Sequence, residues 1–164
     1  MKEKPYIYLA GPIRGNEDYM WRKEFVEHFG VRINPLIPSD IITQDFNKLR
    51  QFRPAAYMTY KTDLALIDKS NIVFMNLLAH EEGYPARGTL VELGYAIAKQ
   101  KLVIIVAGEQ TSQHPFIAFG GDGVYKDIPS ACTFLDDYLK VLDGQCTWFK
   151  PFKGDADGVN RSWA

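Results

Sequence analysis

Gly88-Thr89-Leu90-Val91-Glu92-Leu93-Gly94-Tyr95-Ala96-Ile97-Ala98 is the stretch that decides how this 164-residue chain is read. It is apolar or small almost throughout and carries one carboxylate, Glu92. Gly94, Ala96 and Ala98 let backbones approach closely, so the stretch reads as the opening turns of a packed helix. Ile72-Val73-Phe74-Met75-Asn76 lies before it and Leu102-Val103-Ile104-Ile105-Val106 after it, both short, apolar and β-branched enough to be buried strands. Strand, helix, strand is a βαβ unit with a right-handed crossover. Glu92 is then expected in the first helical turn, above the carboxyl ends of the strands, where open α/β sheets bind ligands.

Glu92 has two readings. Thr89-x-x-Glu92 has the spacing of a capping box, with Thr89 as N-cap. A carboxylate there also serves as a nucleophile. The positive end of the helix dipole favours its charged form in either case.

A chain of this length is expected to fold as one domain over residues 1–164, with 148–164, which shows no period, as a tail or an arm on a neighbouring subunit. Hydrophobic residues at 46% and charged residues at 24% fit an ordinary globular protein. A net charge of −1 with no basic block argues against a nucleic-acid polymer or an anionic membrane as partner. The apolar runs are strand-sized, too short for a bilayer, and Met1–Pro5 lacks the pattern of a signal peptide. Cys132 and Cys146, the only cysteines, read as reduced thiols of a cytoplasmic protein. His28, His80 and His114 show no metal-ligand spacing, and no cofactor is expected.

In chain order, Tyr6–Ala10 is a strand and Gly11-Pro12-Ile13-Arg14-Gly15 a tight loop. Asn16 caps a helix running to about Gly30, with Tyr19, Phe25, Val26 and Phe29 on its apolar side. Val31–Asn34 reads as a second strand ended by Pro35, and Pro35 to Phe52 as a long irregular connection. Pro54 to Asp68 reads as a helix with Tyr57, Leu64 and Ile67 inward and Asp63 on it. His80–Arg87 and Gly108–Gly123 read as loops, Val124-Tyr125 as a last short strand, and Ala131–Leu142 as an amphipathic helix. Trp21, Tyr19 and Phe119 read as core aromatics rather than as a stacking platform for a base. The alternation of strand and helix predicts an α/β, doubly wound parallel sheet of five strands flanked by helices. Its crevice, at the ends of the first and third strands, brings the Gly11–Gly15 loop beside the Glu92 helix and suits a sugar or a phosphate.

Four blocks resemble the nucleoside 2-deoxyribosyltransferase family. They are Tyr8-Leu9-Ala10-Gly11-Pro12-Ile13-Arg14-Gly15, Asn34-Pro35-Leu36-Ile37-Pro38-Ser39-Asp40, Tyr60-x-x-Asp63-Leu64 and Gly88-Thr89-x-x-Glu92-Leu93-Gly94-Tyr95-Ala96. The resemblance implies a flavodoxin-like sheet and cleavage of the N-glycosidic bond of a nucleoside or nucleotide. It implies Glu92 as nucleophile, Tyr8 as the residue that holds it, and Asp63 as the group tied to proton transfer at the leaving base. It further implies a covalent glycosyl-enzyme intermediate, taken by a second free nucleobase in transferases and by water in hydrolases. Sites are completed across a contact in a homodimer or larger homo-oligomer. The chemistry agrees: an oxocarbenium-like transition state needs a carboxylate on one face and a proton donor at the leaving nitrogen.

The chain departs from the family pattern in two places. Ala86, followed by Arg87, stands where transferases often carry a base-contacting aspartate. Where a partner's asparagine would hold the sugar, this chain has Gly120-Gly121-Asp122-Gly123, which makes Asp122 the candidate substitute. Arg14 and Arg87, fixed cations near an anion-favouring helix start, either meet the phosphate of a nucleoside 5′-monophosphate or are solvated surface charges. Asn76, at a strand end, serves either a substrate contact or a loop backbone. The expected substrate-binding set is therefore Gly11, Pro12, Ile13, Arg14, Asn76, Arg87, Gly88 and Asp122. Three functions stand open: a deoxyribosyl transferase, a monophosphate N-glycosidase, and a binding module in which Glu92 is only a cap.

Overall fold

The computed structural model describes residues 3–13, 16–38, 53–81, 83 and 87–145, without the side chains of residues 16–18, 55, 80 and 81. Five parallel strands form one sheet: β1 (Tyr6–Ala10), β2 (Asn34–Leu36), β3 (Ile72–Asn76), β4 (Leu102–Val106) and β5 (Gly123–Tyr125). Their spatial order is β2-β1-β3-β4-β5. That is the flavodoxin-like doubly wound arrangement, with its switch point between β1 and β3.

The alternation of side chains along each strand splits the core in two. Ile7, Leu9, Ile72, Phe74, Ile104 and Val106 face α1 (Asn16–Phe29) and the last helix, Ile128–Leu142. Tyr8, Ala10, Val73, Met75, Val103 and Ile105 face α2 (Arg53–Lys69) and the helix Arg87–Ala98. Three four-residue helices sit in the connections: α3 (Leu78–Glu81), α5 (Glu109–Ser112) and α6 (Pro115–Ala118). The longer helices Arg87–Ala98 and Ile128–Leu142 are then α4 and α7. No helix among the described residues is long and apolar enough to cross a membrane.

Several expectations shift. The second strand lies three residues later than Val31–Asn34, because Gly30–Arg32 continues α1 as a turn of 3₁₀ helix. Gly30 sits at φ +52°, a left-handed conformation that glycine adopts without strain. Pro35 falls inside β2 rather than ending it; β2 is an edge strand, where a residue with no N–H to donate is tolerated. The segments read as the Gly108–Gly123 and His80–Arg87 loops contain α5, α6 and part of α3, each too short to leave a helical period. α7 starts at Ile128, ahead of Ala131, since Asp127 caps it by accepting the Ser130 amide at 2.8 Å. Tyr57, expected inward, is 60% exposed, while Ile67 is fully buried as expected. Trp21 is core, packed against Phe74, whereas Tyr19 is 42% and Phe119 88% exposed. Most of the Pro35–Phe52 connection, Cys146 and the 148–164 tail lie outside the described residues.

Asp122 is tied to the sheet. Its Oδ2 accepts the Val103 amide at 2.8 Å and its own amide donates to the Val103 carbonyl at 2.8 Å, near the start of β4. Asp122→Ala should therefore lower stability by about 1–3 kcal/mol, the cost of a buried amide left unmade. Chemical denaturation checks this; an unchanged midpoint would free the carboxylate from the strand.

Candidate active site

Three side chains meet on the α2/α4 face, above the switch point. Tyr8 points to that face from the middle of β1 and is fully buried. Its O–H donates to Glu92 Oε1 at 3.0 Å. Asp63, on α2, is close enough that its charge acts on both Tyr8 and Glu92. Glu92 Oε2 and Asp63 Oδ1 are buried and have no hydrogen-bond partner among the described residues. Buried polar atoms are nearly always satisfied, so two bare carboxyl oxygens in one crevice mark a place prepared for a ligand.

The capping box is not formed. α4 begins at Arg87, so Thr89 lies inside its first turn, buried, and Glu92 lies in the second turn. No acidic residue occupies the first turn. The cap reading of Glu92 fails on position, and the helix dipole, which decays within one turn, gives its charge little help.

Burial and the neighbouring Asp63 push Glu92 up to about 7, against the Tyr8 hydrogen bond and the Arg22 charge, which pull it down. Burial pushes Asp63 up to about 6, with Arg22 again opposing. Burial and the two carboxylates drive the Tyr8 hydroxyl far above the usual phenol range, so it remains a donor. The two acids thus exchange their protons near neutrality as a coupled pair. Such a pair can hold one charged and one protonated carboxyl at once; with Glu92 the higher of the two, the shared proton rests mainly on Glu92, and a charged Glu92 beside a protonated Asp63 is the minor arrangement, reached when the proton shifts to Asp63.

Sequence reasoning missed Arg22. It is 1% exposed; its Nε donates to the Leu9 carbonyl at 3.1 Å, Nη2 to Gly11 at 2.8 Å and Nη1 to Pro12 at 3.3 Å. Its guanidinium lies 4.6 Å from the Trp21 ring centre. A signal was present: Arg22, Phe25, Val26 and Phe29 share one helical face, which makes Arg22 a cation on an apolar stripe.

The remaining expected residues divide. Gly11 and Pro12 are buried at the end of β1, with Ile13 half-buried beside them. A Cβ on Gly11 would lie 3.2 Å from the Asn76 carbonyl and 3.3 Å from Arg22 Nη2, so close approach is the reason for glycine. Asn76 Oδ1 accepts the Leu78 amide at 3.0 Å, the loop-backbone alternative. Arg87 and Gly88 are exposed at the start of α4. Asp122 serves β4 within this chain, and Arg14 lies outside the described residues.

Fold and site together define a flavodoxin-like α/β protein with an acid–acid–tyrosine cluster at its switch point. The chain belongs to the nucleoside 2-deoxyribosyltransferase family, whose sequence profile matches residues 7–134. This places it among enzymes acting on nucleosides or nucleotides. Among solved structures it is similar to the 2-deoxyribosyltransferase from Bacillus psychrosaccharolyticus, with TM-score 0.57 and 17% identity over 82% of this chain and 95% of that one. It is also similar to the 2-deoxyribosyltransferase from Leishmania mexicana, with TM-score 0.55 and 19% identity over 82% and 98%. At these identities the likeness speaks for the fold. No curated protein sequence matches the chain at a significant level.

The raised carboxyls make stability depend on pH. A carboxyl with a folded pKa above its unfolded value contributes stability that is full below the unfolded pKa and lost as pH rises through the folded one, here between about pH 4 and 7. Glu92→Gln keeps an acceptor for Tyr8 but carries no charge. At pH 8 it should be more stable than the native chain by up to about 3 kcal/mol, and at pH 4 the gain should vanish. Thermal melts at both pH values check this; a gain independent of pH would exclude ionisation as its source.

Proposed function

We propose that this protein is a nucleoside 2-deoxyribosyltransferase-like enzyme that moves the sugar of a (deoxy)nucleoside to another base through a covalent glycosyl–Glu92 intermediate. The observation that carries the reading is the division of labour at Glu92: Tyr8 holds Oε1, and Oε2 is buried and free to attack. Glu92 Oε2 bonds to the anomeric carbon as the carbon–nitrogen bond breaks, and the nitrogen keeps the electron pair. Asp63, in its protonated form, gives the leaving nitrogen its proton. The incoming base then attacks the same carbon, Glu92 leaves as a carboxylate, and the base proton returns to Asp63. In this reading Gly11, Pro12 and Ile13 line the sugar side, and Gly88 and Arg87 the 5′ side.

Arg87, exposed at the start of α4 with a helix N-terminus behind it, favours a second reading in which water takes the sugar from a nucleoside 5′-monophosphate. One assay separates the two. The protein is incubated with a deoxynucleoside and a second free base, and separately with nucleoside monophosphates, and the products are read by chromatography. A transferase yields the exchanged nucleoside; a hydrolase yields free base and sugar phosphate. Glu92→Ala should abolish turnover in either case, and near-normal activity would remove it as nucleophile. Asp63→Asn should lower kcat far more than it raises KM. A preference for the monophosphate of about tenfold or more, lost in Arg87→Ala, would establish the second reading.

The site is also proposed to be shared with a second copy of the chain. Leu90 and Ile97 on α4 and Phe116 on α6 are exposed at a largely apolar cavity of about 600 Å³ that Leu93, Gly94, Gln110, Thr111, His114 and Ile117 complete, and Val91 and Phe119 are exposed apolar residues as well. Phe119→Glu should shift the sedimenting species toward monomer and lower activity with it. Unchanged sedimentation would place any subunit contact elsewhere.

A further inference from the structure

A buried guanidinium is costly unless its donors are all met, and nothing in the reaction proposed above uses Arg22 directly. Three of its donors reach the carbonyls of Leu9, Gly11 and Pro12, a run that begins inside β1 and continues past its last residue. Leu9 follows Tyr8, so fixing the Leu9 carbonyl fixes the Leu9–Ala10 peptide plane, one residue beyond the tyrosine that holds Glu92. The slot is shaped for this one side chain. The Trp21 ring centre lies 4.6 Å from the guanidinium, and Gly11 leaves clearance for both, where a Cβ would come within 3.2 Å of the Trp21 ring and 3.3 Å of Nη2.

We infer that Arg22 is the positioning residue of this site: its fork across three carbonyls holds the end of β1 in the shape that presents Tyr8 to Glu92. The inference deepens the proposed reaction and rests on it for the kinetic half of its test. The electrostatic half stands without any substrate. The charged and titratable groups acting on the pair, among the described residues, are Tyr8 from β1, Asp63 from α2, Glu92 from α4 and Arg22 from α1. Arg22 is the one cation in that set, and its positive charge lowers both carboxyls.

Lysine keeps the charge but, as a point donor, cannot bridge three carbonyls in a plane; glutamine loses the charge as well. Arg22→Lys should lower kcat between about ten- and a hundredfold with KM nearly unchanged, as for an ångström-scale misplacement of the nucleophile. Its pH profile should keep its limbs in place. Arg22→Gln should lower kcat at least as far and move both limbs to higher pH. The carbon-13 carboxyl titrations of Glu92 and Asp63, followed by NMR with no substrate present, should move upward in Arg22→Gln and not in Arg22→Lys. Unchanged kcat and unchanged titrations in a folded Arg22→Gln, even with reduced stability, would overturn the inference and leave Arg22 a structural residue. Should Arg22→Gln fail to fold, Arg22→Lys decides through its kcat-against-KM split, since it keeps the charge and loses the fork. Wild-type kcat in a folded Arg22→Lys would then overturn the inference. If the native protein cleaves no nucleoside or nucleotide, the proposed reaction fails, and the carboxyl titrations still decide the electrostatic role of Arg22.

Discussion

The site depends on one hydrogen bond, from the Tyr8 hydroxyl to Glu92 Oε1, made at a place where water is scarce. Two carboxyl groups put into the same crevice lose solvation, which raises both, and the charge of Asp63 raises Glu92 further. Tyr8 offsets part of that by offering a donor which, given its environment, does not give up its proton. The bond also removes one oxygen of Glu92 from competition and leaves the other bare. A strand residue is well suited to the task. Tyr8 is pinned by ladders to β2 on one side and β3 on the other, so its ring has little freedom to follow a moving carboxylate.

The fold makes this affordable by keeping the rest of the sheet dry. One apolar cluster lies under α1 and α7 and a second under α2 and α4, and each contains fully buried aliphatic and aromatic residues from at least three strands. Burial on that scale absorbs a locally unfavourable site, a common arrangement where function needs strain or desolvated charge. The crevice opens where the chain turns from β1 toward β2 on one side and from β3 toward β4 on the other, so loops from different crossovers meet there without distorting the sheet.

Sequence patterns revealed what was periodic or continuous. β1, β3 and β4 were legible because short apolar runs bounded by polar residues have few other uses in a chain of this composition. The Tyr8–Asp63–Glu92 grouping was legible because the family's motifs place it, and the structure brings the three together. Positions set by tertiary context were not legible. β2 slid past a proline because an edge strand needs only one side of its ladder, and Thr89 has cap spacing but sits inside a helix that starts two residues earlier. Tyr57 and Tyr19 keep helical spacing yet face outward. Arg22 was hidden for the opposite reason: charged residues on helices are nearly always solvated, and only its place on the stripe of Phe25 and Phe29 argued otherwise.

The position of Glu92 in the second turn of α4 alters what its ionisation rests on. At a helix start, free amides and the dipole would stabilise its charge; one turn further in, the amides around it are committed to the helix. What lowers Glu92 among the described residues is a neutral phenol and a guanidinium that reaches across from the opposite layer of the sheet. Both are positioned by the end of β1 and the residues just past it, Tyr8 by its own place in the strand and Arg22 by the carbonyls of Leu9, Gly11 and Pro12. The ionisation of Glu92 is therefore tied to the geometry of the end of β1. A displacement of this strand end would move the phenol and the guanidinium together, so the two groups that lower Glu92 change as one.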